Sequence, residues 1–527
     1  MQTALYAIGL TLLSIIIAVP CLYGLHMYLM LGLAMASRGR VRRAQNSTIS
    51  RFRATVPDDR WPIVTTQIPL YNELPVARRV IEAVAAIDYP IDRHQIQVLD
   101  DSNDSTREVV DAVVRQLAAR GYDISVVRRA DRRHFKAGAL QYGLQSARGE
   151  FVAVFDADFV PQPGFLRALV PLLASDERAC CVQGRWGHLN RDETWITRAL
   201  SLGIDGHFGV EQPARAWNGL LLNFNGTAGV WRRAAIDDPR VGGWDGDTLT
   251  EDLDLSYRAQ LAGWRVAYHV DEVAPAELPA DPDALKTQQR RWATGSIQCA
   301  RKLLGAVWMS KLSPFQKVEG TIHLLGYSVN VMMLLMALFG RPLAASLDGG
   351  PGSISWAWIV MSLATLGPIL AYCWSRVSFG QFVNPLDIPK VLLLGLGLAV
   401  NNTVAVLAGI VQRGGEFIRT PKSGSTGGAS VPAAGGRAHA RTAIPTYAAI
   451  RSRLWMFELI CGVLCVGQWL LFLPIDGPIG SMFLLLYGVG FLTLGYASVP
   501  RARSAAPAAT RAQVGYPPLA ESPAPST

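Results

Sequence analysis

The chain has few cysteines, few charged residues and no recognisable dinucleotide-binding motif. Its seven cysteines are scattered over 527 residues without a CxxC pair, which argues against structural zinc and against a disulfide framework. No Gly-x-Gly-x-x-Gly follows the first predicted strand, which disfavours a dinucleotide fold of the dehydrogenase kind. Charged residues make up 17% of the chain and hydrophobic residues 50%, which is too apolar for an ordinary soluble protein. We therefore expect a globular domain joined to a membrane region.

Positive charge is present, but its placement does not indicate a nucleic-acid partner. The net charge is +9, and the basic residues cluster beside apolar spans, which is typical of membrane topology. Residues 5–36 form an uncharged apolar run that can cross ~30 Å of hydrocarbon, and four arginines follow it between Arg38 and Arg43. A signal peptide would have its basic residues first. The pattern therefore predicts a transmembrane helix whose amino terminus lies outside the cell, and it places the residues that follow the helix in the cytoplasm.

Residues 61–283 have the alternating pattern of an α/β domain. Apolar runs predict strands at 62–70, 95–100, 124–128, 151–156 and 179–186. Amphipathic runs between them predict helices at 74–86, 107–119, 137–147 and 164–174. This order predicts a mostly parallel, Rossmann-like sheet with helices on both faces and a ligand at the carboxyl ends of its strands.

Two carboxylates, Asp156 and Asp158, end the fourth predicted strand. Their spacing lets both side chains address one point, and hard oxygen ligands there suit Mg²⁺ or Mn²⁺ that in turn holds a diphosphate. Aspartate is also common in turns and helix caps, so the pair by itself fits both interpretations about equally.

Polar residues also follow the neighbouring predicted strands. The first strand is followed by Tyr71-Asn72-Glu73, the second ends in Asp100 and Asp101, and the third leads to Lys136. Four consecutive strand ends that supply carboxylates and a lysine predict a site for a nucleoside diphosphate.

Thr250-Glu251-Asp252 precedes a predicted amphipathic helix. An acid at a helix amino terminus is held ionised by backbone N–H groups, so Asp252 can accept a proton from an incoming hydroxyl. A simple helix cap at Thr250 explains the same residues without catalysis. The preceding Gly-rich segment 224–229 is loosely consistent with a backbone wall against an acceptor.

Gln288, Arg291 and Trp292 combine a bidentate cation with a large flat ring. Arginine suits a diphosphate leaving group, and a tryptophan ring is a natural platform for the face of a sugar. An amphipathic helix on the membrane surface is an alternative interpretation of the same residues, and both interpretations can hold together.

The rest of the chain predicts alternating membrane and polar segments. Apolar stretches recur at 321–340, 353–374, 390–411, 454–473 and 477–499, with a basic, Gly-rich loop at 412–453. If that loop and residues 61–283 are both cytoplasmic, an even number of crossings separates them. Because Asn401 and Asn402 interrupt the stretch 390–411, and amides are costly in lipid, we expect this segment to be interfacial or re-entrant.

The motifs, taken in order, resemble those of the family 2 glycosyltransferases of the cellulose-synthase-like superfamily. The resemblance covers about residues 60–425 and is greatest to the plant cellulose-synthase-like A and C groups, which make mannan and glucan backbones. It is carried by these residues: Asp100-Asp101, Lys136-Ala-Gly, Asp156-Ala-Asp158, Phe224-Asn-Gly-Thr-Ala-Gly229, Thr250-Glu-Asp252, Gln288-x-x-Arg291-Trp292 and a gating-loop-like Phe417-Ile-Arg-Thr420-Pro-Lys422.

The resemblance implies a GT-A catalytic domain and a role for each motif residue. Asp100 and Asp101 are implied to contact the nucleoside, and Lys136 the diphosphate. Asp156 and Asp158 are implied to bind the sugar nucleotide and its Mg²⁺ or Mn²⁺. Asp252, next to Glu251, is implied to be the base, and Arg291 is implied to stabilise the leaving group. Gln288 and Trp292 are implied to bind the acceptor. The last implied role is closure over the nucleotide by Phe417, Thr420 and Lys422. A PilZ-like domain with an RxxxR signature is missing after the gating loop, so regulation by cyclic di-GMP is not implied.

These observations together predict a domain order. We expect a transmembrane helix at 1–36, a basic linker at 37–60, a cytoplasmic GT-A domain at 61–283, and the Gln288–Trp292 motif with interfacial helices at 284–320. These are followed by transmembrane or interfacial helices at 321–411 and by a cytoplasmic gating loop and flexible linker at 412–453. We then expect transmembrane helices at 454–499 and a disordered tail at 500–527. The expected location is a bacterial inner or plasma membrane.

The expected activity is processive, inverting transfer of a hexose from UDP-glucose or GDP-mannose to a growing β-linked mannan or glucan. The partners are then a nucleotide sugar, the polysaccharide acceptor and the lipid bilayer. A glycosyltransferase that adds one sugar to a lipid is the nearest alternative, and an inactive membrane scaffold or transporter is a third.

Overall fold

The computed structural model describes residues 2–347, 355–415, 422, 424 and 453–500. Expectations that fall on residues 416–421, on most of the loop up to 452 and on the tail from 501 lie outside these residues.

A seven-stranded sheet forms the centre of the catalytic domain. Its strands are β1 Val64–Leu70, β2 His94–Asp100, β3 Asp123–Val127, β4 Phe151–Val154, β5 Ala179–His188, β6 Gly229–Arg232 and β7 Arg265–Ala276. The spatial order is β3-β2-β1-β4-β6-β5-β7, and only β6 runs antiparallel to its neighbours, β4 and β5. The predicted mostly parallel sheet is confirmed, and β6 and β7 add two strands to the five that the sequence pattern predicts.

Helices cover both faces of this sheet. The catalytic domain contains α2 Leu74–Ala85, α3 Thr106–Ala118, α4 Phe135–Gly143, α5 Phe165–Ala174, α6 Trp195–Gly206, α7 Gln212–Ala216, α8 Arg233–Ile236 and α9 Glu251–Leu261. Side chains of β4 alternate between two apolar cores: Phe151 and Ala153 belong to one, and Val152 and Val154 to the other. A strand buried on both faces explains why its sequence is a continuous apolar run rather than an alternating one.

The amino-terminal helix is longer than the sequence pattern predicts. Helix α1 runs without a break from Gln2 to Thr55, so the segment 37–60, expected to be a linker, is helical through most of its length. Its polar part contacts the catalytic domain: Arg42 pairs with Asp271 at 2.8 Å, and Gln45 donates to the carbonyl of Tyr268. These contacts explain why the basic residues continue the helix instead of forming a loop.

The remaining helices lie outside the sheet domain. They are α10 Pro282–Met309, α11 Pro314–Leu324, α12 Val329–Leu335, α13 Arg341–Ser346, α14 Ser355–Ser378, α15 Asp387–Gly397, α16 Ala399–Val411, α17 Leu454–Gly480 and α18 Met482–Ala497. Within the described residues, four helices are long and apolar enough to cross a membrane: Tyr6–Thr55, Gly326–Ser346, Ile359–Ser378 and Leu454–Pro478. Helices α15 and α16 form a pair bent by 41°. Helix α18 has 16 residues, about 24 Å, so it is shorter than the span predicted at 477–499.

Candidate active site

A single cavity at the carboxyl edge of the sheet brings most of the predicted site residues together. Of these residues, the cavity is lined by Asp101, Lys136, Asp156, Asp158, Glu251, Asp252, Gln288, Arg291, Trp292 and Lys422. They come from the ends of β2 and β4, from the first turns of α4 and α9, from α10 and from Lys422 beyond α16, so the convergence depends on the tertiary fold. The roles assigned to these residues stay predictions, whereas their common location is a structural finding.

Lys136 is at the centre of the charges in this cavity. Its Nζ lies 2.6 Å from Asp156 Oδ1 and 3.6 Å from Glu251 Oε1, and it donates to the carbonyl of Gly226 at 2.8 Å. Burial alone would lower the pKa of Lys136, but the carboxylates of Asp156 and Glu251 outweigh burial and raise it. The side chain is therefore a fixed positive charge, as a diphosphate site requires.

The backbone that presents Lys136 is strained and is held by Arg129. His134 and Phe135 have positive φ values of 58° and 45°, a conformation that costs energy for residues other than glycine. The guanidinium of Arg129 donates to the carbonyls of Arg133 and Phe135 and pairs with Asp101 at 2.6 Å. Arg129 thus fixes the turn before α4 and one carboxylate of the cavity together.

The Asp156–Asp158 pair follows β4, as predicted. Burial raises the pKa of Asp156; Lys136 opposes this effect and the nearby Asp158 adds to it. Asp158 Oδ2 accepts a hydrogen bond from Lys422, which also donates to the carbonyl of Glu277 at 3.0 Å. Each carboxylate of the pair therefore has a lysine as its cationic partner.

The pair has the donor set that a divalent cation requires. Two carboxylates close enough for one to raise the pKa of the other, on a cavity wall next to two ammonium groups, form a site that already accommodates positive charge. Hard oxygen donors suit Mg²⁺ or Mn²⁺, so Asp156 and Asp158 fit the predicted metal. Among the described residues a second cluster, His134, Asp245 and Asp247, has ligand atoms within 4.8 Å of one another, but Lys302 already pairs with Asp245 at 2.6 Å.

Asp252 is a buried acid in the first turn of α9. Burial and the adjacent Glu251 raise the pKa of Asp252 to about 7, although Lys136 opposes them. The sequence argument expects the helix amino terminus to keep the pKa of this acid low. That expectation is wrong, because desolvation raises the pKa of Asp252 more than the single backbone N–H bond from Leu253, at 2.8 Å, lowers it. A pKa near neutrality suits a general base.

Thr250 does not act as a side-chain cap for α9. Its hydroxyl instead contacts Cys299 Sγ at 3.4 Å on α10, so the expected side-chain cap at Thr250 is wrong, and a catalytic role for the motif stays a prediction.

The glycine-rich loop after residue 223 forms the wall beside Asp252. Gly226 has φ +81°, and a Cβ atom there would lie 2.8 Å from Asp252 Oδ2 and 3.2 Å from Lys136 Nζ. Only glycine allows this backbone to approach both charged groups. The loop is also tied to β4, since Asp156 N donates to Thr227 Oγ1 at 2.9 Å.

Three predicted residues need separate comment. Asp100 does not line the cavity; it is buried and accepts hydrogen bonds from Ser102 N and from the Arg128 guanidinium. This position shows a structural role in the turn after β2, and the implied contact of Asp100 with the nucleoside stays a prediction. Phe417 and Thr420 lie outside the described residues.

The sequence patterns do not identify several residues of the cavity wall. Trp186 and His188 near the end of β5, Glu277 after β7, and Arg132, whose guanidinium lies 3.2 Å from the centroid of the Tyr71 ring, all line it. Trp186 also lies 6.4 Å from Trp292, centroid to centroid. The sequence does contain a signal for Trp186 and His188. Like the other polar residues at strand ends, they lie at the end of the predicted strand 179–186 or directly after it.

The chain is similar to several known proteins. Residues 62–295 match a family described as glycosyltransferase like family 2. The chain is 34% identical over 382 residues to glucomannan 4-beta-mannosyltransferase 2 of Arabidopsis thaliana, covering 69% of this chain and 68% of that protein. It is 39% identical over 267 residues to glucomannan 4-beta-mannosyltransferase 1 of Oryza sativa subsp. japonica, covering 49% of this chain and 51% of that protein. The match to this second relative therefore spans about half of its length.

Solved structures are similar at a lower level of identity, and one of them is a mannosyltransferase. The mannosyltransferase PcManGT from Pyrobaculum calidifontis, in complex with GDP-Man and Mn²⁺, is 21% identical, with a TM-score of 0.43 over 72% of this chain and 99% of that chain.

A mostly parallel sheet with an acid- and lysine-rich cavity at its carboxyl edge, in a chain with these relatives, defines an enzyme of the GT-A glycosyltransferase fold. The chain belongs to glycosyltransferase family 2, and its curated relatives include plant glucomannan 4-beta-mannosyltransferases.

Proposed function

We propose that this enzyme transfers a mannosyl group from a nucleoside-diphosphate sugar to a growing β-linked polysaccharide at a membrane. The observation that carries the proposal is the cavity, which places a buried acid with a pKa near 7 beside a fixed lysine and a carboxylate pair. The relatives are glucomannan 4-beta-mannosyltransferases, which supports mannose as the sugar. Glucose is the second candidate, because nothing in the cavity distinguishes two hexoses that carry the same diphosphate.

The chemistry follows from the positions of the charges. Asp252, when ionised, accepts the proton of the acceptor hydroxyl as that oxygen bonds to the anomeric carbon and the diphosphate departs. Lys136 and Arg291 stabilise the charge that develops on the departing diphosphate. Because one base acts and no second carboxylate serves as nucleophile, a single in-line displacement inverts the anomeric centre. An α-linked donor would then give a β-linked product.

A divalent cation at Asp156 and Asp158 would add a further positive charge next to the diphosphate. Lys422, which contacts Asp158 in this structure, would then have to share or give up that carboxylate. The binding of metal and the position of the gating-loop lysine are therefore expected to be linked.

Membrane integration is part of the proposal. Four helices of sufficient length and apolarity and the arginines after residue 36 support a multi-pass protein with a cytoplasmic catalytic domain. A site placed on membrane helices would allow the polymer to leave as it forms, which supports a processive reaction.

The test is product formation by membranes that contain the protein, supplied with radiolabelled GDP-mannose or UDP-glucose and Mg²⁺ or Mn²⁺. A water-insoluble product that β-mannanase digests is the expected result, and digestion by a β-glucanase alone would assign glucose instead. Label found only in the organic-solvent fraction would contradict polymer synthesis and favour the glycolipid alternative. Absence of both transfer and donor hydrolysis would contradict enzymatic function altogether.

A further inference from the structure

Three polar atoms in the wall of the cavity have no hydrogen-bond partner within the described residues. They are Trp186 Nε1, His188 Nδ1 and Gln288 Oε1, and all three residues line the cavity. A buried polar atom without a partner lowers stability and is uncommon in folded proteins. Such atoms also occur elsewhere in the described residues, but these three share one cavity, where a single bound molecule can supply their partners.

His188 is the most firmly held of the three. Its side chain is 8% exposed, and its Nε2 lies 2.9 Å from Asp205 Oδ1. Asp205, 2% exposed, accepts a second contact from Arg376 Nη1 at 2.7 Å. An ionised Asp205 accepts a hydrogen bond from Nε2–H, and Nδ1 is then the ring nitrogen that has no partner within the described residues. The ring is thus fixed in orientation, with its Nδ1 atom unused among the described residues.

The contacts of His188 connect the cavity to a candidate membrane helix. Arg376 lies near the end of α14, Asp205 lies on α6 and His188 is the last residue of β5. The charge of Arg376 is balanced by Asp205, so this group brings no free cation to the cavity. Arg376 also does not line the cavity, whereas Lys136 does, so the His188–Asp205–Arg376 group presents no lysine or arginine to a diphosphate.

The chemistry of the three atoms suits a sugar with free hydroxyl groups. A hydroxyl can donate to His188 Nδ1 or Gln288 Oε1 and can accept from Trp186 Nε1. The rings of Trp186 and Trp292, 6.4 Å apart, add aromatic surface beside these polar atoms, and aromatic rings carry an apolar face next to a polar edge. Hydrogen-bonding atoms of an indole, an imidazole and an amide next to aromatic rings favour a sugar over an anion.

We propose that His188, oriented by Asp205 and Arg376, binds a hydroxyl group of the acceptor sugar and positions it for transfer. This inference rests on the proposed function, since it concerns the acceptor of that reaction. It adds to the motif residues a histidine that acts through its Nδ1 atom and that is linked to helix α14.

Two substitutions separate the contact with the acceptor from the contact with Asp205. His188→Gln places an amide near the position of Nε2, so the bond to Asp205 is kept and the Nδ1 acceptor is lost. His188→Asn places an amide oxygen near the position of Nδ1 and gives up the bond to Asp205. His94→Gln is the matched control, because His94 is also buried and also bonds through Nε2, to Thr66 Oγ1 at 2.8 Å, but does not line the cavity.

The experiment measures binding and kinetics with the full chain in detergent and β-1,4-linked mannotetraose as the acceptor. We expect His188→Gln to raise the acceptor Kd and KM about tenfold, the loss of one hydrogen bond, with the donor KM changed less than twofold. His188→Asn should recover most of the loss in acceptor affinity, and His94→Gln should bind the acceptor like the wild type. Normal acceptor affinity of His188→Gln, or equal defects of the Gln and Asn variants, would overturn the proposal.

The binding arm separates this inference from the proposed function. If the wild type transfers no sugar but binds mannotetraose in a His188-dependent manner, the proposed function fails and the acceptor site stands. If the wild type makes polymer and His188→Gln binds mannotetraose normally, the assignment of His188 alone fails.

Discussion

At the scale of single residues, the proposed reaction depends on the ionisation of Asp252. Its pKa is raised to about 7 by burial and by Glu251, and only the ionised form accepts a proton. We therefore expect kcat/KM for the acceptor to rise with pH up to about 7 and then to level off, with a value at pH 6 roughly tenfold below the plateau. The measurement is a pH profile of initial rates at fixed metal concentration; a flat profile between pH 5.5 and 8 would contradict the assignment.

Asp252→Asn removes the base while keeping the size of the side chain. Transfer should fall by about 10²–10⁴-fold, whereas the donor Kd should change little, because the donor's diphosphate is expected to contact Lys136 and Arg291. Isothermal calorimetry with the nucleotide and single-turnover transfer measure the two quantities. Asp254→Asn is a useful comparison, since Asp254 is buried and pairs with Arg258 at 2.7 Å; its substitution should lower stability rather than selectively remove the chemical step.

Gly226 is expected to be intolerant of even one methyl group. An alanine there would place Cβ 2.8 Å from Asp252 Oδ2 and so displace the base, and a shift of about 1 Å at a reacting group can cost 10²-fold in rate. Gly219→Ala is the matched control: Gly219 has φ +70°, and its Cβ would meet nothing within 4 Å. Both variants should lose about 1–2 kcal/mol of stability from the left-handed backbone. Only Gly226→Ala should lose transfer, and equal activities of the two variants would contradict the proposed geometry.

At the scale of elements, the sequence predicts strands and helices well where the pattern is local. The five predicted strands and the four helices between them lie within a few residues of their predicted bounds. This agreement is expected because buried apolar runs and amphipathic periods are properties of short segments. Strand β6 has only four residues and pairs antiparallel to strands distant in sequence, so no local period reveals it.

The candidate site shows the same division between local and tertiary information. The carboxylates and lysine at the strand ends follow from the order of strands. The pKa of Asp252 and the unpartnered Nδ1 of His188 depend instead on burial and on contacts with α4, α6 and α14, which no sequence pattern gives.

The packing of α1 against α14 is set by two glycines. A Cβ atom at Gly24 would lie 2.3 Å from the Ala364 carbonyl oxygen, and one at Gly367 would lie 2.3 Å from the Gly24 carbonyl oxygen. Small residues allow this close approach of helix backbones. We expect Gly24→Ala to destabilise the protein by about 1–3 kcal/mol through overpacking.

Gly32→Ala on the same helix is the control, because its Cβ would meet nothing within 4 Å and alanine favours helix over glycine. The melting temperature of the detergent-purified chain should fall for Gly24→Ala and stay equal or rise for Gly32→Ala. Similar melting temperatures of the two variants would show that the helices do not pack at this distance.

At the scale of the whole molecule, one end of the bent α15–α16 pair contacts the catalytic domain and the other contacts helix α10. Asp387, at the start of α15, pairs with Arg191 at 3.1 Å. After the end of α16, the carbonyls of Gln412 and Gly414 accept from Arg301 and Gln298 of α10, and Gln298 in turn accepts from Leu249 N. Near the bend, Asn401 donates to the Lys286 carbonyl, so its amide faces protein.

If the catalytic domain and the loop 412–453 are both cytoplasmic, as we propose, the parity of crossings requires that this pair enters and leaves the membrane on the cytoplasmic side. Cysteines introduced at Leu386 and Val411, which are 70% and 80% exposed, should both react with an impermeant maleimide in inside-out vesicles and not in right-side-out vesicles, after subtraction of wild-type labelling. Ile475→Cys, near the far end of α17, should show the opposite sidedness. Labelling of positions 386 and 411 from opposite sides would mean that the bent pair crosses the bilayer, and the 412–453 loop would then lie on the other side from the catalytic domain.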